Sequence, residues 1–253
     1  MVKLCARNVS LTVQGAGLVK EASFAMRPGE LIALIGPNGA GKSSLLRCLV
    51  GLEHAQSGAI TLDERDIASL SSTNRARLVG YLPQQRPLAW PLMVADTVAL
   101  GRYAYGATPG RLSPQDVAAV TAAMDEVGIT PLAFRRTDSL SGGELARVHI
   151  ARLFSGHTPL LLADEPLAAL DPKHQWQVME LLRTYVAQGG GALVVIHDLV
   201  LAAHFADRII WMDAGRIVAD GTPAETMTSS RIAEVYGVAA EVTNNIPQIS
   251  GLI

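Results

Sequence analysis

Residues Gly36-Pro37-Asn38-Gly39-Ala40-Gly41-Lys42-Ser43 follow the spacing G-x-x-x-x-G-K-S. Before them runs Leu31-Ile32-Ala33-Leu34-Ile35, a short apolar run of strand formers; after them runs Ser44-Leu45-Leu46-Arg47-Cys48-Leu49-Val50, apolar at helical spacing. A glycine-rich turn between a buried strand and a helix start is a phosphate cradle. Its backbone N–H groups point inward, and the helix dipole favours negative charge. In such a cradle Lys42 reaches the β- and γ-phosphates and the Ser43 hydroxyl serves a magnesium ion. Gly36, Gly39 and Gly41 let the chain bend with no Cβ in the way.

Four further groups could do chemistry with a bound phosphate. Leu160-Leu161-Leu162-Ala163-Asp164-Glu165 reads as an apolar strand ending in two carboxylates. Adjacent acids on a strand point to opposite faces, so Asp164 can hold Mg²⁺ through water while Glu165 orients or deprotonates an attacking water. Taken alone, the pair is as readily one solvated acid and one helix cap. Ala192-Leu193-Val194-Val195-Ile196-His197 is a second buried strand ending in a polar group, and His197 at that edge can touch the γ-phosphate or the water. Gln84, after Tyr81-Leu82-Pro83, can bond Mg²⁺ or the water, though by itself it is an ordinary turn residue. Ser141-Gly142-Gly143-Glu144 opens a helix, with Ser141 able to cap it and two glycines leaving N–H groups open to an anion. One chain does not need two phosphate-binding helix starts for one γ-phosphate, so the second is expected to serve a neighbouring copy's nucleotide. His54, His149, His157, His174 and His204 lack such settings and read as surface or packing residues.

The elements that must position these groups are legible as alternation. Residues 2–13 and 19–27 read as strands around Gln14-Gly15-Ala16-Gly17, with Val9, Leu11 and Val13 alternating with polar neighbours. Strands are expected at 31–36, 59–62, 77–82, 160–163 and 192–196. Ile209-Ile210-Trp211-Met212 and Arg216-Ile217-Val218-Ala219 flank a hairpin turn at Asp213-Ala214-Gly215. Residues 85 to about 150 read as mainly helical, broken by Pro87, Pro91, Pro109, Pro114 and Pro131. A helix over 114–127 is capped by Ser113 and buries Val117, Val120, Met124 and Val127. Further helices are expected near 172–187 and 199–206, and the 238–253 tail is weakly patterned. The fold class is α/β, with 85–154 a helical subdomain inserted into a core formed by 1–84 and 155–253.

Composition agrees and excludes other classes. Of 253 residues 49% are hydrophobic, which suits one α/β domain with a modest insertion. The formal net charge of −2 is spread along the chain, with no basic groove for nucleic acid. The two cysteines, Cys5 and Cys48, sit in apolar segments and read as reduced core residues. The first eight residues show no signal peptide, and no apolar run approaches the roughly 20 residues that span a bilayer.

Taken together the set resembles the nucleotide-binding subunit of ATP-binding cassette transporters. The motifs stand in that family's order: the phosphate loop 36–43, Gln84, the signature 140–144, Asp164-Glu165, Ala169-Leu170-Asp171 and His197. The resemblance covers nearly the whole chain. It implies a P-loop NTPase (RecA-like) core with an antiparallel β subdomain, ATP and Mg²⁺ held by Gly36 through Ser44 with Ser43, Gln84 and Asp164 at the metal, and catalysis by Glu165, His197, Gln84 and Lys42. It further implies a head-to-tail homodimer in which Ser141, Gly142, Gly143 and Glu144 meet the partner's γ-phosphate and Asp171 lies at the dimer contact. A narrower likeness rests on Tyr81-Leu82-Pro83-Gln84-Gln85, Val98-Ala99-Leu100-Gly101-Arg102-Tyr103, His197-Asp198-Leu199 and Val235-Tyr236-Gly237. These look like importers of iron–siderophore, haem and cobalamin. The implied partners are a transmembrane permease dimer and a substrate-binding protein, and the implied place is peripheral, on the cytoplasmic face of the inner membrane. Met93 to Tyr105 would lie near the permease, with Trp90 either there or packed in the insert. The chain departs from the family in one respect. The adenine base usually stacks on an aromatic of the first strands, yet nothing aromatic precedes Phe24, which should face the core, and Val13 or Gln14 falls near the expected place. Ala163 and Leu167 are minor variations.

The expected function is therefore ATP hydrolysis powering import, with iron–siderophore as first cargo and haem or cobalamin as alternatives. From a different class, a soluble cassette protein on ribosome or DNA would carry two cassettes or a long coiled coil, which this chain lacks. A small-molecule P-loop kinase would have no use for Ser141-Gly142-Gly143.

Overall fold

The computed structural model describes residues 2–86, 90–108, 110–168 and 170–253. Pro87, Pro109 and Ala169 of the motifs above lie outside the described residues. Strands β1 (Leu4–Val13) and β2 (Ala16–Met26) open the chain as a hairpin. Its turn, Gln14-Gly15, has positive φ at both residues, the mirror-image turn that suits the right-handed twist of paired strands. β3 (Leu31–Ile35) leads through the glycine loop into helix α1 (Lys42–Leu49). β4 (Ser57–Leu62) and the two-residue β5 (Arg65–Asp66) then join the hairpin in an antiparallel sheet of order β2-β1-β4-β5. Helix α2 (Ser72–Leu78) and β6 (Val79–Leu82) follow. The strand expected over 77–82 thus begins two residues late: the Ser71 hydroxyl caps α2 and draws Arg77 and Leu78 into its last turn.

The helical stretch holds α3 (Val94–Ala99), a 3₁₀ turn over Leu100–Tyr105, α4 (Pro114–Glu126) and α5 (Gly142–Ser155). α4 carries the expected Ser113 cap, reciprocated by Asp116. Its buried face differs from the expected one: Val117 is exposed, whereas Asp116, Ala119, Val120, Ala123, Met124 and Val127 are buried. Two alanines, Ala119 and Ala123, lie within this buried face, and Ala123 joins the core cluster shared with α3 and α5, so small residues as well as large apolar ones mark the stripe. Asp116 is buried because Arg102 meets it at 2.9 Å and also donates to the Ser155 carbonyl. That paired charge, with the Arg102 guanidinium 3.9 Å above the centre of the Tyr105 ring, binds the insert together.

The chain returns through β7 (Leu160–Ala163), α6 (Pro172–Ala187), β8 (Gly191–Val195), α7 (Leu199–Phe205), β9 (Arg208–Asp213) and β10 (Arg216–Gly221). The main sheet has the order β10-β9-β3-β8-β7-β6, parallel except for the β10 edge. β3 is apolar throughout because both faces are covered. Leu31, Ala33 and Ile35 pack towards the helices of the insert and α6–α7, while Ile32 and Leu34 pack towards α1 and the antiparallel sheet. Helices α8 (Pro223–Thr226) and α9 (Ser229–Tyr236) close the core. The weakly patterned tail is a hairpin, β11 (Val238–Thr243) and β12 (Ile246–Leu252), turned by Asn244-Asn245 with positive φ at both. Asparagine tolerates that conformation better than most side chains.

Candidate phosphate-binding and hydrolytic site

The strand order explains the site. Side by side, β3, β8, β7 and β6 end at the glycine loop, His197, Asp164-Glu165 and Gln84 respectively. In open parallel sheets the carboxyl edge is where ligands bind. Here it forms a cleft of about 530 Å³ lined by Leu18, the loop from Asn38 to Ser44, Gln84, Glu165 and His197. The loop's shape depends on two glycines. A Cβ on Gly36 (φ +149) would stand 2.0 Å from the Met212 carbonyl oxygen, and one on Gly41 (φ +96) 2.0 Å from that of Leu18. No side chain caps α1, so its first N–H groups are left for an anion. The Lys42 ammonium, buried beneath the loop, donates to the carbonyls of Gly36 (2.7 Å) and Pro37 (2.8 Å). Burial holds its pKa below the usual lysine value, against the pull of Glu165 and Asp164.

The two acids do not alternate as strand residues. β7 stops at Ala163, the Asp164 N–H still donates to the Leu82 carbonyl at 2.8 Å, and Glu165 turns out with φ +50. Asp164 is 1% exposed, and among the described residues neither carboxylate oxygen has a hydrogen-bond partner. Burial pushes its pKa up, helped by the charge of Glu165, against the Ser43 hydroxyl, Arg47 and Lys42. A buried, unpartnered carboxylate beside a serine hydroxyl is a costly arrangement unless a cation completes it. These hard oxygens fit Mg²⁺, and no group of three His, Cys, Asp or Glu converges among the described residues, so phosphate and water would supply the remaining oxygens. Glu165 faces the cleft. Its Oε1 lies 2.8 Å from His197 Nε2. Burial raises its pKa, but the neighbouring His197, Gln84 and Lys42 outweigh that and hold it below the usual glutamate range.

The signature residues are not among those lining this cleft. Ser141 caps α5 by accepting from the Glu144 N–H, and the Glu144 carboxylate accepts from the Ser141 N–H at 2.8 Å. That box uses the Ser141 N–H and leaves Gly142 and Gly143 at the helix tip; among the described residues nothing lies within 4 Å of where a Gly142 Cβ would be. Asp171 caps α6 and bonds His174 Nδ1 at 2.7 Å. Ala169 lies outside the described residues. Arg86 escaped the sequence reading: its guanidinium donates to the carbonyls of Pro83 (2.8 Å) and Glu165 (3.0 Å), a bond between loops that no local pattern announces. Phe24 is buried in the core as expected, Val13 is exposed, and Leu18 walls the cleft near the loop.

The ABC transporter family profile matches residues 19–168. The chain belongs to the ABC transporter family. A hemin import ATP-binding protein, HmuV, of Rhodococcus jostii is 39% identical over 241 residues, covering 95% of this chain and 82% of that protein. A solved dimeric bacterial ABC transporter cassette, MJ0796, is 26% identical with a TM-score of 0.79, covering 87% of this chain and 98% of that one. An inward-facing metal-chelate type ABC transporter, 23% identical with a TM-score of 0.84 over 100% of this chain, shares the fold. This ABC cassette is thus an ATPase whose hydrolysis is coupled to transport, built on the α/β phosphate-loop core that its motifs led one to expect.

Proposed function

We propose that this chain is the ATP-hydrolysing subunit of a haem importer, acting as a dimer on the cytoplasmic side of a membrane permease. The observation that carries the hydrolytic reading is the convergence of the glycine loop, unpartnered Asp164, Glu165, Gln84 and His197 on one sheet edge. The loop N–H groups and Lys42 hold the triphosphate, Lys42 exchanging its two loop carbonyls for phosphate oxygens. Ser43, Asp164 and Gln84 would hold Mg²⁺, which when bound neutralises charge developing on the phosphates. Glu165, kept ionised, accepts a proton from or orients the attacking water, and His197 fixes its carboxylate. Gly142 and Gly143 of a second copy complete the pocket across the dimer; that neither lines the cleft of its own chain supports this.

The cargo reading moves from iron–siderophore, preferred on motifs alone, to haem, because the relatives are named for hemin import. Permease docking is supported by a groove of about 360 Å³ between the core and the insert, walled by Leu52, Ile67, Leu100 and Leu153 with Arg75 and Arg152. Exposed Trp90, Met93 and Tyr103 lie on the insert. Among the described residues no helix is long and apolar enough to cross a membrane; on this reading the cargo's path belongs to the permease. The test is transport: the tagged chain, co-purified with its permease and reconstituted with a substrate-binding protein, should take up haem in preference to ferric siderophore or cobalamin. Preference for either of the others would replace the cargo, and absence of any co-purifying permease would end the importer reading. Glu165→Gln should abolish hydrolysis and trap an ATP-bound dimer by size exclusion; a persistent monomer in saturating Mg-ATP would falsify the shared pocket.

A further inference from the structure

Arg86 stands two residues beyond Gln84, where the chain leaves β6 for the helical insert. Its Nε donates to the Pro83 carbonyl at 2.8 Å, closing the loop on itself. Its Nη2 donates to the Glu165 carbonyl at 3.0 Å, with the Asp164 carbonyl at 3.4 Å. One planar guanidinium therefore ties the Gln84 loop to the main chain of both acids, a fork geometry that only arginine supplies. The residue so held is the one with φ +50, a backbone conformation that L-residues adopt only where surroundings impose it. From the side-chain direction His197 holds the Glu165 carboxylate at 2.8 Å, with Gln84 lining the same cleft; from the backbone direction Arg86 grips its carbonyl. The charges of Asp164 and Glu165 favour the Arg86 guanidinium, while burial and the charge of Arg152 on α5, the helix headed by Ser141, oppose it.

We propose that Arg86 is a positioning residue for hydrolysis, setting the backbone of Glu165 and its distance from Gln84, so that movement of the insert relative to the core is felt at the water-orienting carboxylate. This rests on the reading of Glu165 given above. A bolt serving stability alone would not discriminate between binding and turnover; a positioning residue does.

The test uses the purified full chain with Mg-ATP, comparing Arg86→Ala, Arg86→Lys and Glu165→Gln for kcat, KM, affinity for a fluorescent ATP analogue, and thermal midpoint. Misplacing a catalytic group by an ångström costs up to about 10²-fold, so R86A should lose about that in kcat. Its KM and analogue affinity should stay within about threefold of the parent. Arg86→Lys, able to reach one carbonyl but not both, should recover part of the rate, to within about tenfold of the parent. A folded R86A with kcat within about threefold of the parent overturns the proposal, as does a loss of analogue affinity matching the loss of rate. Should R86A not fold, R86K decides alone: an unchanged kcat overturns the proposal, and a fall of several-fold at constant KM supports it. Full hydrolysis by E165Q would instead sink the reading of Glu165; inactive E165Q with active R86A sinks the Arg86 role alone.

Discussion

Replacing Gly41 by alanine separates the sterics of the phosphate loop from its conformational preference. A Cβ there would lie 2.0 Å from the Leu18 carbonyl oxygen, where real contacts essentially never fall below 3.0 Å, so about 1 Å of displacement is required. Leu18 sits at a register shift without a partner of its own, but its freedom is limited because β2 is paired with β1 on both sides of it, Leu11 with Val19 and Thr12 with Gly17. The φ of +96 adds a left-handed penalty of about 1–2 kcal/mol, and overpacking against fixed backbone about 1–3 kcal/mol. The sum, roughly 2–5 kcal/mol, is a large part of the 5–15 kcal/mol of a typical domain. At about 2–4 °C per kcal/mol for a chain of this size, the thermal midpoint should fall by roughly 5–20 °C. Gly41 also caps α1, so the shift moves the N–H groups that hold phosphate, and nucleotide affinity should fall at least about tenfold, equivalent to 1.4 kcal/mol. Gly39 is the control: its φ is +81 but nothing lies within 4 Å, so Gly39→Ala should cost only the conformational 1–2 kcal/mol. Differential scanning fluorimetry and a fluorescent-nucleotide titration measure both. If Gly41→Ala binds nucleotide as well as Gly39→Ala and melts no lower, the loop is not pinned by β2 and the account fails.

Three other outcomes are expected. Gly142→Ala has open space and an ordinary helical site, so it should leave folding intact or raise stability by up to about 1 kcal/mol, while ATP-driven dimerisation and hydrolysis are lost; undiminished turnover would remove the glycine from the shared pocket. His149 is 2% exposed with neither ring nitrogen bonded among the described residues, and burial, with Arg152 and Arg86 adding, pushes its pKa down to about 4. A depressed folded value means stability present above pH 6.5 and lost as pH falls towards 4, about 2 kcal/mol of it between pH 7 and pH 5. Urea melts should show that loss in the parent and not in His149→Leu; equal losses would place the acid sensitivity elsewhere. Finally, with Phe24 in the core and Val13 exposed near the expected base position, no aromatic of the first strands is offered to adenine, so a stacking term of about 1–3 kcal/mol is missing. KM for ATP and GTP should be comparable, and a strong ATP preference would point to a base contact not recognised here.

What local sequence could show, it showed well. The glycine loop, the Ser113 cap of α4 and the 209–219 hairpin are each written in a few neighbouring residues whose backbone preferences agree with the fold. Readings failed where a local pattern had competitors. Ser71 extended α2 into an apparent strand, and Ala119 and Ala123 displaced Val117 from the buried face. The Asn244-Asn245 turn lay in a tail without strong alternation, so its hairpin was missed although asparagine pairs do favour such turns.

Residue type and spacing were enough to name the phosphate loop, both acids, Gln84, His197 and the Ser141 helix start, because hydrogen-bonding capacity and charge belong to side chains wherever they sit. Which of them meet was decided by strand order. β3, β8, β7 and β6 lie side by side though far apart along the chain, which brings His197 onto Glu165 and strips Asp164 of partners. The reach of Arg86 to a carbonyl 79 positions onward, and the Leu18 carbonyl that forbids any side chain at Gly41, exist only once the sheets have packed, since neither contact has a counterpart among near neighbours in the chain.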